Sequence, residues 1–424
     1  MLLLSRFARK ALARLRRLPP ETGDRTAERS IHAGWQRPAR PEGALMIACP
    51  NPTEEENARD THQARGQFLA RQDRWADLAA EIRRAEAARQ ATPGAMPVAD
   101  LLGYGARCDV VMAVEHALFD GRPPRGAPLL SGIEALEVVL ADAGEDMILS
   151  TIVAQAHMDI AWAWRGTGWD SQVPERNRDA FDAHFDRARD ILHPFDLRET
   201  NSPMLAAAKC ALHGAGRDTV DALAADYERL IDLDPRNPGP MRALGNYLSP
   251  RWFGTHERLE LEARRTAART YATWGAGAYT WVMFDALSGD DIACAGLDLD
   301  FFIEGLHDIL DRKPHQYTVN LLAAYCANTI GSNFTGFDPA DQIRSQIAAC
   351  ADWIVRTHMT ELHPLIWAHA AAGFDNNLRV HSARGFAAAG QAEALRIIAD
   401  LFRREIAQGH RIIFTAEGPV AEPG

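Results

Sequence analysis

Apolar residues recur along most of this chain at the three-to-four-residue spacing of amphipathic helices. The spacing predicts helices over residues 54–71, 74–89, 98–118, 133–143, 146–165, 175–192, 204–212, 218–232, 240–248, 256–274, 279–287, 299–310, 316–329, 339–358, 364–373 and 383–408. The connections are mostly short, which places consecutive helices antiparallel, beginning with 54–71 against 74–89. Strand-like alternation is almost absent, and extended residues are expected only in the short apolar runs 44–48 and 410–415 near the termini. The pattern therefore predicts an all-α fold of antiparallel helical hairpins.

Breaks in the helical pattern divide the chain into four parts. Residues 1–18 are predicted to form a basic amphipathic helix, and residues 19–53 a linker rich in proline, glycine and arginine. Residues 54–119 are predicted to form the N-terminal hairpins, and residues 132–424 the main helical array. The loop 120–132 between them is the clearest internal break, because it combines three prolines with three glycines.

Basic side chains surround an apolar stripe in residues 1–18. The basic residues are Arg6, Arg9, Lys10, Arg14, Arg16 and Arg17. A helix of this kind can lie on an anionic membrane surface, which predicts peripheral contact at the inner face of a membrane. The alternatives are a start codon placed too early, or a helix that packs on the folded body.

Charge weighs against nucleic acid as a partner. The net charge is −11, although residues 1–20 carry six positive charges and no negative one. The remainder is strongly acidic and repels a phosphate backbone at long range. Only Lys10, Lys209 and Lys313 are lysines, and arginine with abundant alanine is typical of a GC-rich bacterial genome.

The six cysteines are distant from one another in the sequence and form no CxxC pair. This spacing argues against a zinc knuckle and against a disulfide scaffold. Reduced cysteines that fill helix cores are the favoured interpretation, and they fit the cytoplasm. No uncharged stretch is both apolar enough and long enough to span a bilayer.

Residues 221–248 carry a recognisable spacing. Tyr227 is followed eight residues later by Pro235, and the pair Leu244-Gly245 comes next. This spacing resembles the junction between two tetratricopeptide repeats, with Tyr227 in the second helix of one repeat and Leu244-Gly245 in the first helix of the next. Gly245 would also let two helices approach closely.

The resemblance implies an α-solenoid of stacked antiparallel helical hairpins. It is good only around residues 218–248, and Leu223 and Leu230 replace small alanines of the family pattern. A second, poorer match to the repeat pattern at residues 388–395 indicates a helix–glycine–helix turn. No period near 34 residues runs through the chain, so the repeat is degenerate.

A binding groove is the functional expectation that follows. Stacked hairpins expose one helix of each pair along a concave surface that binds peptides or proteins. Asn246 occupies the place where peptide-binding members of the repeat family hold a backbone or a carboxylate. A binding site for a carboxylate also needs basic side chains. Because the chain has only three lysines, arginines would have to supply them, and Arg242 and Arg251 are the further candidate binding residues.

An alternative hypothesis is an enzyme whose site lies between helices around His157, Asp159 and Arg165. His157 and Asp159 are two residues apart and point to different sides of one helix, so they cannot form a local acid–base pair. Trp162 and Trp164, together with Arg165, are candidates for a stacking or peptide-binding surface. The favoured interpretation is that these tryptophans anchor the joint between hairpins.

No spacing predicts a metal site, a cofactor site or a catalytic group. His358, Glu361, His363 and His369 match no zinc motif, because Pro364 breaks the helix that would align them. Nucleotide-binding glycine motifs and a nucleophile elbow are also missing from the sequence. The sequence therefore favours a non-enzymatic interaction protein with a protein or peptide partner.

Overall fold

The computed structural model describes residues 43–118, 129–166, 173–197, 199–216, 218–372 and 382–424. The predicted basic helix 1–18, with its six candidate membrane-contact residues, lies outside these ranges, as do residues 19–42 of the predicted linker. The described part is mostly α-helical and has one small sheet, which confirms the predicted helical class.

The first half of the described chain contains eight α-helices. They are α1 (Glu54–Arg71), α2 (Trp75–Ala87), α3 (Val98–Ala117), α4 (Ser131–Ala143), α5 (Met147–Arg165), α6 (Glu175–Leu192), α7 (Pro203–Leu212) and α8 (Val220–Leu233). Side-chain caps explain several starts. Thr53 and Glu56 form a reciprocal capping box at α1, and Asp146 caps α5.

The second half contains ten more. They are α9 (Gly239–Leu248), α10 (His256–Trp274), α11 (Gly277–Leu287), α12 (Asp291–Ala295), α13 (Leu299–Arg312), α14 (Gln316–Ala324), α15 (Asp338–His358), α16 (Pro364–Ala371), α17 (Ala383–Leu401) and α18 (Arg403–Ala407). A π-helical turn, Tyr325–Ile330, continues α14. Helix α12 was not predicted.

Glycines set the closest helix contacts. A Cβ atom on Gly245 of α9 would overlap the carbonyl oxygen of Val282 on α11, which confirms the close approach predicted for Gly245. Gly66 of α1 lies equally close to Leu102 of α3. Helix α1 consequently packs most extensively on α3, and its contact with α2, with which it was predicted to form an antiparallel pair, is smaller.

The position of Gly390 differs from the helix–glycine–helix turn predicted there. It lies inside the continuous helix α17, so the predicted turn at 388–395 is wrong. A Cβ atom there would overlap the carbonyl oxygen of Pro364, the first residue of α16. The glycine therefore serves a close approach between α16 and α17.

The sheet joins the two ends of the described chain. Strand β1 (Leu45–Met46) pairs in parallel with β2 (His410–Thr415), which pairs antiparallel with β3 (Gly418–Pro423). The extended residues expected at 44–48 and 410–415 are thus confirmed, whereas β3 was not predicted. Ala48 also accepts a hydrogen bond from the Leu362 amide at 2.8 Å. The N-terminal strand therefore lies against the C-terminal helices.

Apolar packing is continuous across the loop 119–131. Leu69, Ile82, Ile152 and Met204 belong to one buried cluster, although they come from both sides of that loop. The largest buried cluster runs from α7 to β2 and includes Tyr247, Phe284 and Trp367. Hydrophobic burial thus connects the N-terminal helices to the rest of the molecule.

Candidate functional site

Arg242 of α9 and Asp285 of α11 form the centre of the candidate site. Arg242 donates from Nε and Nη2 to the two carboxylate oxygens of Asp285, at 2.8 and 2.7 Å. The Arg242 guanidinium also lies over the Phe284 ring, 4.5 Å from its centroid. The side chain of Arg242 keeps 15% of its surface exposed and that of Asp285 keeps 30%, so the pair remains open to solvent on one side.

Asn246 and Arg251 complete this group. Asn246 follows Arg242 by one helical turn on α9 and is buried. The turn after α9 brings Arg251 back, so that its Nη2 donates to Asn246 Oδ1 at 2.7 Å and lies 3.4 Å from the Asp285 carbonyl oxygen. The structure therefore brings together all three candidate binding residues named from the repeat resemblance.

Asp285 was missed by the sequence reasoning. It lies on α11 and carries no local motif of its own. The only signal was the general one that a half-buried arginine needs an acidic partner. Because Arg242 is already paired, a ligand at this site has to share or displace the Asp285 carboxylate.

Burial leaves part of Arg251 unsatisfied. Its Nε is buried and has no hydrogen-bond acceptor among the described residues. Burial lowers the pKa of the Arg251 guanidinium, although Asp285 and Asp290 act in the opposite direction. A buried donor without an acceptor raises the free energy of the folded protein by about 1–3 kcal/mol until a ligand or water accepts its hydrogen bond.

The alternative site around His157, Asp159 and Arg165 does not converge. His157 contacts Glu137 and His184, at 2.8 Å in each case. Asp159 instead accepts from the Arg107 Nε at 2.9 Å. The prediction that His157 and Asp159 point to different sides is confirmed, and the two form no acid–base pair.

Trp162, Trp164 and Arg165 lie at the joint between α5 and α6. The Trp162 ring meets Phe181 and Phe185 edge-on, with centroid separations of 4.9 and 5.6 Å. Trp164 and Arg165 are buried. These positions agree with the interpretation that the tryptophans anchor adjacent helices.

The remaining histidine candidates occupy packed positions. His363 is buried and contacts Glu361 at 2.8 Å, whereas His369 packs edge-on against Phe386. Within the six described ranges, no group of three or more histidine, cysteine, aspartate or glutamate side chains is arranged to hold a metal ion.

Asp100, on the first turn of α3, is a titratable group that the sequence did not indicate. It is half-buried, and no hydrogen bond or ion pair links it to another described residue. Burial, together with the charges of Glu86 and Asp234, raises the pKa of Asp100 to about 7 against the opposing effect of Arg107. This carboxyl group changes its charge near neutral pH.

None of the described helices has the length and apolar character needed to cross a membrane. Comparison of the chain with known protein families, with curated proteins and with solved structures finds no match.

Proposed function

We propose that this protein is a non-enzymatic interaction protein that binds a protein or peptide partner beside Arg242, Asn246 and Arg251. The observation that carries the proposal is a connected polar group across the neighbouring helices α9 and α11. Arg242 pairs with the Asp285 carboxylate, and Arg251 donates both to Asn246 and to the Asp285 carbonyl oxygen. Two guanidinium groups, an amide and a carboxylate on one partly open surface suit the mixed polar groups of a peptide backbone.

A solenoid of stacked hairpins is part of the proposal. In it, α7, α9, α11, α14 and α16 form the inner layer, and each packs against an outer helix that follows it. Direct packing of α9 on α11 and of α14 on α16 supports this arrangement. The inner layer would present the binding side chains along one concave surface.

The proposal also includes a cytoplasmic location. All six cysteines are free thiols, and five of them are buried. Free thiols suit a reducing compartment. Contact of residues 1–18 with the inner face of a membrane is a separate part of this proposal, and cell fractionation with and without those residues tests it. Equal soluble fractions would rule out the membrane contact.

Affinity purification of the full chain, followed by mass spectrometry, tests the binding function. The wild type is compared with Arg242→Ala/Asn246→Ala and with the control Arg396→Ala, whose side chain is 66% exposed on α17. We expect specific partners to be lost from the double variant and kept by the control. Circular dichroism checks that each variant is folded. An unchanged partner set with the folded double variant would refute the groove assignment.

A further inference from the structure

A row of three apolar residues, here called the apolar row, crosses the outer face of the three-stranded sheet. The strand register places Met46 of β1 beside Ile413 of β2, and Ile413 beside Val420 of β3. Residues that are directly opposite each other on paired strands point to the same face of a sheet. Met46 is 51% exposed and Val420 is 46% exposed, whereas Ile413 between them is half-buried. The apolar row therefore faces solvent.

The inner face of the same sheet belongs to the core. Ile412 is fully buried and Phe414 nearly so, and the Phe414 ring meets that of Phe402 edge-on, with 6.1 Å between centroids. Because side chains alternate along a strand, burial of Ile412 and Phe414 directs Ile413 outward. A sheet with one packed face usually carries polar residues on the other. The apolar row departs from that pattern, which indicates that something covers it.

The size of the outer face limits what can cover it. Strands β2 and β3 are six residues long, so a face three strands wide measures about 14 Å by 20 Å, or roughly 300 Å². A stable dimer buries about 800 Å² on each partner. A second copy of the chain would therefore gain too little area here. A segment of the same chain needs less area, since a tether gives an effective concentration on the order of 1 mM.

The N-terminal segment leads directly into this sheet. Strand β1 begins at Leu45, and residues 1–42, which lie outside the described ranges, immediately precede Gly43. A coil of the length of residues 19–42 spans about 27 Å on average, which is more than the length of the sheet face. Residues 1–18 are therefore within reach of the apolar row.

Residues 1–18 also have matching chemistry. They carry a single apolar stripe, which consists of Leu4, Phe7, Ala8, Ala11, Leu12, Leu15 and Leu18. A helix of this length is about 27 Å long and about 10 Å wide, so it can cross the face and cover the apolar row. Glu417 and Glu422 are exposed at the end of the sheet and offer carboxylates to the basic residues beside the stripe, although Arg411 of β2 partly offsets them. Such exposed pairs contribute at most about 1 kcal/mol each, so apolar contact supplies most of the binding.

We propose that residues 1–18 dock as an amphipathic helix on the outer face of the sheet, with their apolar stripe over Met46, Ile413 and Val420. The inference goes beyond the proposed function, because it gives this segment a binding site on the protein itself. One apolar stripe cannot lie on the sheet and on a membrane at the same time. The sheet therefore competes with anionic lipid for the segment.

Hydrogen–deuterium exchange of the full chain, read by mass spectrometry over residues 1–18, tests the docking. The wild type is compared with Met46→Glu/Val420→Glu and with the control Tyr271→Glu/Ile292→Glu, which adds the same charge at side chains 59% and 56% exposed on other helices. We expect the amides of residues 1–18 to exchange about tenfold faster in the sheet variant than in the wild type, because a charge on the apolar row opposes docking. The control should exchange at the wild-type rate.

Peptides that cover β2 report whether the sheet stays intact, and they should exchange equally in all three proteins. If they show that the sheet has opened, Met46→Thr/Val420→Thr decides the outcome, because threonine favours strands and is less apolar than the residues it replaces. Equal exchange over residues 1–18 in the wild type and in a sheet variant with an intact β2 would overturn the inference. A wild-type dimer that the sheet variant dissociates, measured by sedimentation, would also overturn it by identifying a second copy as the occupant.

Cosedimentation with vesicles of phosphatidylcholine and phosphatidylglycerol in equal parts separates this inference from the proposed membrane contact. We expect the sheet variant to bind the vesicles about fivefold more tightly than the control of equal charge, because its segment is released from the sheet. Vesicle binding of equal strength by both variants would contradict the competition and overturn the docking. Exchange protection in the wild type with no vesicle binding by any of the three proteins would refute the membrane contact alone.

Discussion

Arg242 of α9 holds Asp285 of α11 in a two-pronged ion pair, and Phe284 supports the guanidinium from below. Arg242→Met should lower the free energy of unfolding by about 2 kcal/mol, because it leaves a partly buried carboxylate unpaired. Arg242→Met/Asp285→Leu should recover most of that loss, since no unpaired charge remains.

Urea denaturation of both single variants and the double variant measures this coupling. Arg396→Met, which breaks the exposed pair with Glu393, is the control and should cost less than about 1 kcal/mol. Additive losses in the double variant would show that Arg242 and Asp285 do not stabilise each other.

The contact at Gly245 should tolerate no side chain. Gly245→Ala would place a methyl group on the carbonyl oxygen of Val282, and we expect a loss of about 3 kcal/mol from the free energy of unfolding. Gly385→Ala is the control, because its nearest neighbours are atoms of Ser382 at 3.5 Å. That control should be neutral or stabilising by up to about 1 kcal/mol. Similar melting temperatures for both variants would contradict the close helix approach.

His184 should remain neutral well below pH 6. Its Nδ1 lies 2.8 Å from the Nδ1 of His157, a contact that needs one donor and one acceptor. Burial, and to a smaller extent His157, lowers the pKa of His184 to about 4. The unfolded chain therefore binds an extra proton between pH 6.5 and about 4, so stability falls as the pH falls through this window.

The resulting loss in the free energy of unfolding is about 3 kcal/mol over this pH window, and the variant His184→Asn should not show it. Chemical denaturation from pH 7 to pH 4 compares the two proteins. A histidine titration by NMR with a midpoint near 6.5 at His184 would contradict this assignment.

Asp100 should act in the opposite direction. Its pKa of about 7 in the folded state lies above the unfolded value of 3.8. The folded protein therefore binds the extra proton, and stability falls as the pH rises from about 4 to 7. At pH 8, the free energy of unfolding of Asp100→Asn should exceed that of the wild type by up to about 4 kcal/mol, and at pH 4 the two should differ little. A difference that does not change with pH would show that Asp100 titrates normally.

Most helix boundaries could be predicted because local chemistry sets them. Glu54–Arg71 begins after the Thr53 cap, and His256–Trp274 ends at Gly275, which has a positive φ of 58°. Both helices were predicted with these bounds. Gly390 shows the limit of local reasoning, since a glycine that ends a helix and one that lets helices touch look alike in sequence.

The candidate site could be predicted only in part. Arg242, Asn246 and Arg251 lie within one helix and the turn after it, so a single motif identified all three. Asp285 comes from α11, and only tertiary packing places its carboxylate against Arg242. Phe68 illustrates the same limit: it is a large apolar residue, yet it is 48% exposed, because α1 packs on α3 through Gly66.

The parallel pairing of Leu45–Met46 with His410–Thr415 joins a strand that is synthesised early to one that is synthesised near the end of translation. A growing chain cannot form this pairing until β2 has left the ribosome. Strand β1 therefore stays unpaired for most of translation. Contacts between such distant residues form slowly. Nascent chains stalled before residue 410 should therefore be unusually sensitive to proteases near residue 45.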